Sequence, residues 1–137
     1  MQRIFRNIMA VVIGLIIGNV VNYYLFHYGF KVFPIDADLN DMEALEMVFP
    51  TLSLKYYLFP LLGHAFGTFT GALLAAFFAV SHKFKLAMGV GATFLLVGIL
   101  AAIVIPPPLW FKVLDLGISY LPMAWIAGKL LTKKKII

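Results

Sequence analysis

Residues 59–80 read FPLLGHAFGTFTGALLAAFFAV, and this stretch decides the fold. A helix needs about 20 apolar residues to cross a bilayer, and this stretch has that length without a Lys, Arg, Asp or Glu. Small residues recur at every fourth position, namely at Gly63, Gly67, Gly71, Ala75 and Ala79. Such spacing lets a second helix backbone approach closely inside lipid. We therefore predict a membrane helix that packs tightly against a neighbour.

The composition of the whole chain supports a membrane location. Of its 137 residues, 63% are hydrophobic and 12% are charged, whereas soluble domains are about 45–50% apolar and about 25% charged. A core of this size cannot bury the excess, so lipid must cover much of the surface. The absence of cysteine excludes disulfides and thiolate metal sites. The net charge of +5 indicates topology and contact with anionic lipid, and no nucleic-acid partner is predicted.

Four apolar stretches are long enough to cross a bilayer. The predicted fold is all-α, a single domain of residues 1–137 built as a four-transmembrane-helix bundle. Its helices cover about 4–28, 57–80, 86–105 and 109–131. The first is interpreted as a retained helix, because its apolar run is long and no small-residue cleavage site follows. Pro122 is expected to kink the fourth helix or to loosen its hydrogen bonds near Ile118.

The distribution of Lys and Arg predicts the orientation. Basic residues cluster at three places, which are Arg3 with Arg6, Lys83 with Lys85, and residues 133–135. With four spans these clusters share one side, which the positive-inside rule makes cytoplasmic. We therefore expect a multi-pass protein of the inner membrane with both termini in the cytoplasm.

The acidic loop 34–56 is then the largest segment on the outer side. Asn40 followed by Glu43 resembles a capping box, and a short amphipathic helix lying on the membrane should follow, with Met42, Leu45 and Phe49 on one face. The DADLND segment at its start imitates the opening of a calcium loop. It lacks the required glycine and the bidentate glutamate, so no metal site is predicted.

Helix one carries a row of small residues that matches the row in the second helix. Ala10, Gly14 and Gly18 again stand four apart, and Asn22 continues the row. The simplest packing sets the two rows against each other as a scaffold. Some of these rows could instead form the interface of a homo-oligomer or bind another membrane protein.

Polar residues of three helices should meet in the outer half of the bundle. These residues are Asn19, Asn22, Tyr23, His64, Thr68, Asp115 and Ser119. Buried polar groups in lipid require partners, so we predict a ligand-binding pocket that is open toward the acidic loop. Asp115 is the natural partner of His64. In the alternative, Asp115 pairs with Lys112 at the interface and His64 bonds a carbonyl of helix one.

A second pair of side chains suggests a cofactor. His27 and His64 belong to antiparallel helices in the same leaflet, and two axial imidazoles in a four-helix bundle can hold a b-type haem. Haem is an alternative to the main expectation, which is that the protein has no cofactor.

Two segments carry a family resemblance. They are GHAFGTFTGA at residues 63–72, and LDL at residues 114–116 with PMAW at residues 122–125. These segments resemble a group of small bacterial inner-membrane proteins of uncharacterised function. The resemblance implies the same membrane architecture and brings neither an activity nor a site residue.

Three functions follow as hypotheses. The first is binding or transport of a small polar solute, an ion or a proton through the outer-leaflet pocket. The second is a membrane-embedded enzyme or a redox or haem subunit that uses His64 and Asp115. The third is a structural or accessory subunit of a membrane complex. The sequence contains no catalytic motif, which favours a role other than catalysis.

Overall fold

The structure is a computed structural model that describes residues 1–133. Its α-helices are α1 (Gln2–Val32), α2 (Met42–Val48), α3 (Leu58–Phe78), α4 (Lys83–Val104), α5 (Leu109–Ile118) and α6 (Leu121–Lys133). Two 3₁₀ turns, Phe49–Thr51 and Leu54–Tyr57, connect α2 to α3. The described residues contain no β-strand. Lys134 and Lys135, which belong to the predicted C-terminal basic cluster, lie outside the described residues.

Four segments are long and apolar enough to cross a membrane. They are Gln2–Val32, Leu54–Phe78, Lys83–Val104 and Leu109–Thr132. Large apolar side chains remain exposed along them, such as Ile16 at 58% and Ile103 at 70%. The prediction of an all-helical chain with four candidate membrane spans is confirmed. The first helix is longer than expected, since it continues from the predicted end near residue 28 to Val32.

The glycine rows of α1 and α3 face each other. A Cβ atom built on Gly67 would lie 2.7 Å from the carbonyl oxygen of Gly18, and one on Gly71 would lie 2.6 Å from that of Gly14. Because real Cβ atoms do not approach oxygen so closely, only glycine allows this separation of the two backbones. Ala10 and Ala75 are buried and extend the packing toward the other end of the helices.

Small side chains also form the core between α3, α4 and α6. Its fully buried members are Ala72, Ala75, Ala76, Ala87, Val90, Ala124 and Ala127. At the edge of this core, Gly91 of α4 lies against Ala124 of α6, and Gly98 of α4 lies against the ring of Tyr120. Bulky residues are thus largely left for the lipid-facing surface, which is how close helix packing is achieved in membranes.

The fourth span is interrupted. Its helix α5 ends at Ile118, two turn residues follow, and α6 begins at Leu121. Pro122 has no N–H to donate to the Ile118 carbonyl, and its ring crowds that turn. The backbone N–H groups of Ser119 and Ala124 still donate to the carbonyls of Asp115 and Tyr120, both at 3.0 Å. The expected loosening near Ile118 is therefore a local break between two helices.

The loop helix α2 differs from the expectation in two respects. Its N-cap is Asp41 and not Asn40, since the Asp41 carboxylate accepts from the N–H groups of Glu43 at 3.1 Å and Ala44 at 3.4 Å. Its predicted apolar face is only partly exposed, since Met42 is 48% exposed and the other two members are covered. Leu45 and Phe49 are buried against the end of the bundle, at 4% and 7% exposure.

At the opposite end of the bundle, the turn between α3 and α4 is held by polar contacts. The Asn7 amide accepts from the Val80 N–H at 2.9 Å and donates to the Ser81 hydroxyl at 2.9 Å. The Lys83 ammonium donates to the last carbonyls of α3, those of Ala76 at 3.1 Å and Phe77 at 3.3 Å. These contacts tie α1 to the turn and satisfy the end of α3.

Candidate functional site

A partly buried histidine–aspartate pair joins α3 to α5. The His64 Nδ1 lies 2.9 Å from Oδ1 and 2.8 Å from Oδ2 of Asp115. The side chains are 24% and 7% exposed. His64 lies within two turns of the start of α3 at Leu58, about 9 Å along the helix axis at 1.5 Å per residue. The pair thus lies inside a candidate membrane span and not in a loop.

Asp115 has two further partners, which come from the break in the fourth span. The Ser119 hydroxyl donates to Oδ1 at 2.8 Å and the Tyr120 hydroxyl donates to Oδ2 at 3.4 Å. Both residues are buried. The Tyr120 ring also stacks on the His64 ring, with 5.7 Å between centroids. Because the carboxylate accepts from its neighbours, the proton of the His64–Asp115 contact belongs on Nδ1.

This arrangement leaves the second ring nitrogen of His64 available. No described residue forms a hydrogen bond with its Nε2. This nitrogen is also not fully buried, because Asn22 Oδ1 is the only fully buried side-chain polar atom without a partner in the described part of the chain. Once Nδ1 carries the proton, Nε2 is an acceptor in the neutral ring and a donor in the charged ring. The predicted alternative, in which Asp115 pairs with Lys112 and His64 bonds a carbonyl, is not the arrangement found.

His64 separates two small cavities. The outer cavity, of about 110 Å³, is lined mainly by apolar residues that include Phe26, Phe49 and Phe111. The inner cavity, of about 100 Å³, is lined by Asn19, Asn22, Thr68 and Tyr120, together with Gly18 and Gly67 of the glycine rows and part of α4. His64 borders both cavities, so its ring can interact with a molecule in either one.

Asn22, which lines the inner cavity, carries a polar atom that has no partner and packs against Gly63. The Oδ1 of Asn22 is buried and accepts no hydrogen bond from the described residues. A buried acceptor left unpaired costs about 1–3 kcal/mol. Thr68, at 1% exposure, lies in the same wall. The structure thus places Asn19, Asn22 and Thr68 on one cavity with His64, and Ser119 on the carboxylate behind it.

One predicted ligand residue lies elsewhere. Tyr23 is 55% exposed and lines a groove on the surface of α1 and α3 with His27 and Lys31. The His27 ring stacks on Tyr23 with 4.0 Å between centroids, and its Nδ1 lies 2.9 Å from the Tyr23 carbonyl oxygen. His27 borders neither cavity at His64. The haem hypothesis stays a prediction, and the described residues give its two histidines no common cavity.

At its end toward the acidic loop, the site is lined mainly by apolar side chains and not by the carboxylates of the loop. Phe30, Phe49, Tyr57 and Phe111 form an apolar cluster there, and Leu45 of α2 lines the outer cavity from above. The Tyr57 hydroxyl donates to the Phe49 carbonyl and holds this cover in place. The reason is the inward packing of α2, which places apolar side chains between the acidic residues and His64.

The described residues contain no group of three His, Asp or Glu side chains that could hold a metal ion. The site consists of the His64 imidazole, the Asp115 carboxylate, and the hydroxyls of Ser119 and Tyr120 that donate to this carboxylate. Asn19, Asn22 and Thr68 line the inner cavity beside it.

Comparison of the chain with protein-family models, with curated proteins and with solved structures finds no match. No family is assigned to the chain on this basis, and the resemblance to small bacterial inner-membrane proteins stays an expectation from the sequence.

Proposed function

We propose that this protein binds or transports a small polar solute, an ion or a proton, and that His64 and Asp115 form the centre of its site. The observation that carries the proposal is the His64–Asp115 contact, which leaves His64 Nε2 without a partner beside a cavity lined by Asn19, Asn22 and Thr68. This nitrogen can therefore hydrogen-bond a molecule in the adjoining space.

The energetic cost of the pair supports a role beyond packing. An ionisable side chain at the centre of a membrane helix costs about 2.5–3.5 kcal/mol on insertion scales, and such residues normally mark ion or substrate pathways. Apolar side chains often replace a buried ion pair without loss of stability. The small-residue core already joins α3 to α6, the second half of the fourth span, without it.

The size of the cavities limits the ligand. The two cavities have volumes of about 110 and 100 Å³, which gives room for a few water-sized molecules. A proton carried along water, a small ion or a group of a few heavy atoms fits, whereas a drug-sized solute needs about 300 Å³ or more.

The proposed setting follows from the positive-inside rule. With Arg3, Arg6, Lys83 and Lys85 on the cytoplasmic side of an inner membrane, both termini are cytoplasmic and the His64 site lies in the outer half of the bilayer. The lipid bilayer is then the main partner, and the glycine rows that α1 and α3 use on each other are not available to a second protein.

Proton flux into liposomes tests the proposal. The protein is reconstituted, a potential is imposed with valinomycin, and internal pH is followed with an entrapped dye. We expect flux from the natural chain, none from His64→Ala or Asp115→Asn, and unchanged flux from Lys112→Gln, which alters a charge in the same helix outside the site. For small ions, the same liposomes are given an external gradient of Na⁺, K⁺ or Cl⁻ without valinomycin, and uptake of that ion is measured in place of internal pH.

Thermal unfolding of each variant separates function from folding. The proposal requires that at least Asp115→Asn unfolds near the temperature of the natural chain while its flux is lost, because the amide still accepts from Ser119 and can donate to Nδ1. Variants that keep full flux, or that lose it only by unfolding, would show that the pair is structural.

A further inference from the structure

The inner cavity opens sideways between α1 and α4. Its lining includes three residues with exposed surfaces, which are Asn19 of α1 and Val97 and Ala101 of α4. Val97 is 57% exposed and lies two turns before α4 ends at Val104, about 10 Å below that end. An opening at this depth in a candidate membrane span faces hydrocarbon and not water.

The cavity on the side of the acidic loop is lined mainly by apolar side chains. The acidic loop packs Leu45 and Phe49 over the outer cavity, and both side chains are buried. Below them lie Tyr57 and Phe111, at 2% and 3% exposure. A molecule arriving from the side of the loop meets these apolar side chains, whereas one arriving from the bilayer meets Asn19 at the rim.

The atoms inside the cavity select the chemistry of the ligand. His64 lines this cavity, and its Nε2 is an acceptor while the ring is neutral and Nδ1 donates to Asp115. Such an acceptor suits a group that donates a hydrogen bond, such as a hydroxyl or an amine. A cavity of about 100 Å³ holds a head of that size and no attached chain.

We propose that the polar species bound at His64 is the hydroxyl or amino head of a membrane-dissolved amphiphile, which reaches the site laterally between α1 and α4. Its apolar chain stays outside, against the exposed faces of Val97 and Ala101. This inference rests on the proposed function, because it assigns a ligand class and an access route to the same site.

Photolabelling with two probes tests the inference. One probe is a long-chain primary alcohol that carries a diazirine in its chain, and the other is the matching diazirine alkane without the hydroxyl. Both are incorporated into proteoliposomes of the full chain, and labelled peptides are located by mass spectrometry. We expect the alcohol to label the α1 and α4 segments around Asn19 and Val97 more strongly than the alkane does.

A blocking variant and its matched control test the route. Val97→Trp fills the rim, whereas Leu96→Trp places the same side chain at a neighbouring position that is 64% exposed and borders none of the cavities described around His64. We expect Val97→Trp to reduce alcohol labelling to the level of the alkane, and Leu96→Trp to leave it unchanged. Excess free decanol should compete with the probe, and glycerol should not.

The outcomes separate this inference from the proposed function. If alcohol-specific labelling is lost in His64→Ala but survives Val97→Trp, or if glycerol competes, the site binds a polar ligand but is not reached through the rim. If alcohol and alkane label the segments equally in the natural chain, the ligand class is wrong, whatever the flux assay shows. If His64→Ala retains alcohol-specific labelling, the head group does not bind at His64.

Discussion

Replacing Gly18 by alanine should destabilise the contact between α1 and α3. The new Cβ atom would lie 2.6 Å from the Gly67 carbonyl oxygen and 3.0 Å from the Phe94 ring. Ordinary contacts begin at 3.4 Å, so the backbone oxygen alone requires a shift of 0.8 Å. The helices cannot separate by this distance without losing packing along the rest of the glycine rows, including the contact between Gly14 and Gly71.

The expected magnitude comes from a comparison with a second glycine. Overpacking of this kind costs about 1–3 kcal/mol, while alanine gains up to about 1 kcal/mol in helix propensity over glycine. Gly89 of α4 has no atom within 4 Å of a new Cβ, so Gly89→Ala receives the propensity gain without the clash. The difference in free energy of unfolding between the two variants therefore isolates the packing, and we expect about 1–3 kcal/mol.

The assay is reversible unfolding of both variants in mixed micelles with increasing denaturing detergent, followed by circular dichroism or tryptophan fluorescence. The natural chain provides the reference. If Gly18→Ala is as stable as Gly89→Ala, then α1 and α3 do not approach as closely as described, and the packing explanation for the two rows of small residues is wrong.

Three further predictions concern the polar groups. Ser119→Ala removes a donor from the Asp115 carboxylate and should lower the free energy of unfolding by about 1.5–3 kcal/mol. Its control is Thr132→Ala, which loses a hydroxyl bonded to its own helix and should change the free energy of unfolding by less than about 1 kcal/mol. Asn7→Ala should lower the free energy of unfolding by about 1–3 kcal/mol, because the Val80 N–H and the Ser81 hydroxyl lose their hydrogen-bond partner. Limited proteolysis should then cut the turn between α3 and α4 faster. Purified protein should show no Soret absorbance, even after incubation with haemin, because His27 and His64 share no cavity. Bis-histidine haem spectra that are lost in either alanine variant would contradict this result.

The helices and the His64–Asp115 contact could be predicted from the sequence because they depend on few variables. Apolar length sets the spans, and small residues at every fourth position indicate which helix faces can approach. Because consecutive spans cross in opposite directions, the position of a polar residue along its span also gives its predicted depth in the bilayer. His64 and Asp115 were expected at the same level on this basis, and the structure places them 2.8 Å apart.

The remaining features of the site depend on local geometry that helical periodicity does not contain. In an unbroken helix Tyr120 would point about 140° away from Asp115, and it reaches the carboxylate only because the span breaks at Ser119. Depth along the helix groups Tyr23 with Asn22, yet adjacent helical residues point about 100° apart and Tyr23 faces outward. The inward packing of α2 is a tertiary contact, which the amphipathic pattern of the loop could not distinguish from contact with lipid.

If the proposed site is right, His64 donates from Nδ1 to Asp115 inside the bundle and keeps Nε2 available to a ligand. Nitrogen NMR of the imidazole in ¹⁵N-histidine-labelled protein tests this arrangement, with the His64 signals assigned by their loss in His64→Ala. We expect a protonated Nδ1 whose signal moves in Asp115→Asn and stays in place in Lys112→Gln. A His64 spectrum that ignores Asp115→Asn, or that shows the proton of the neutral ring on Nε2, would contradict it.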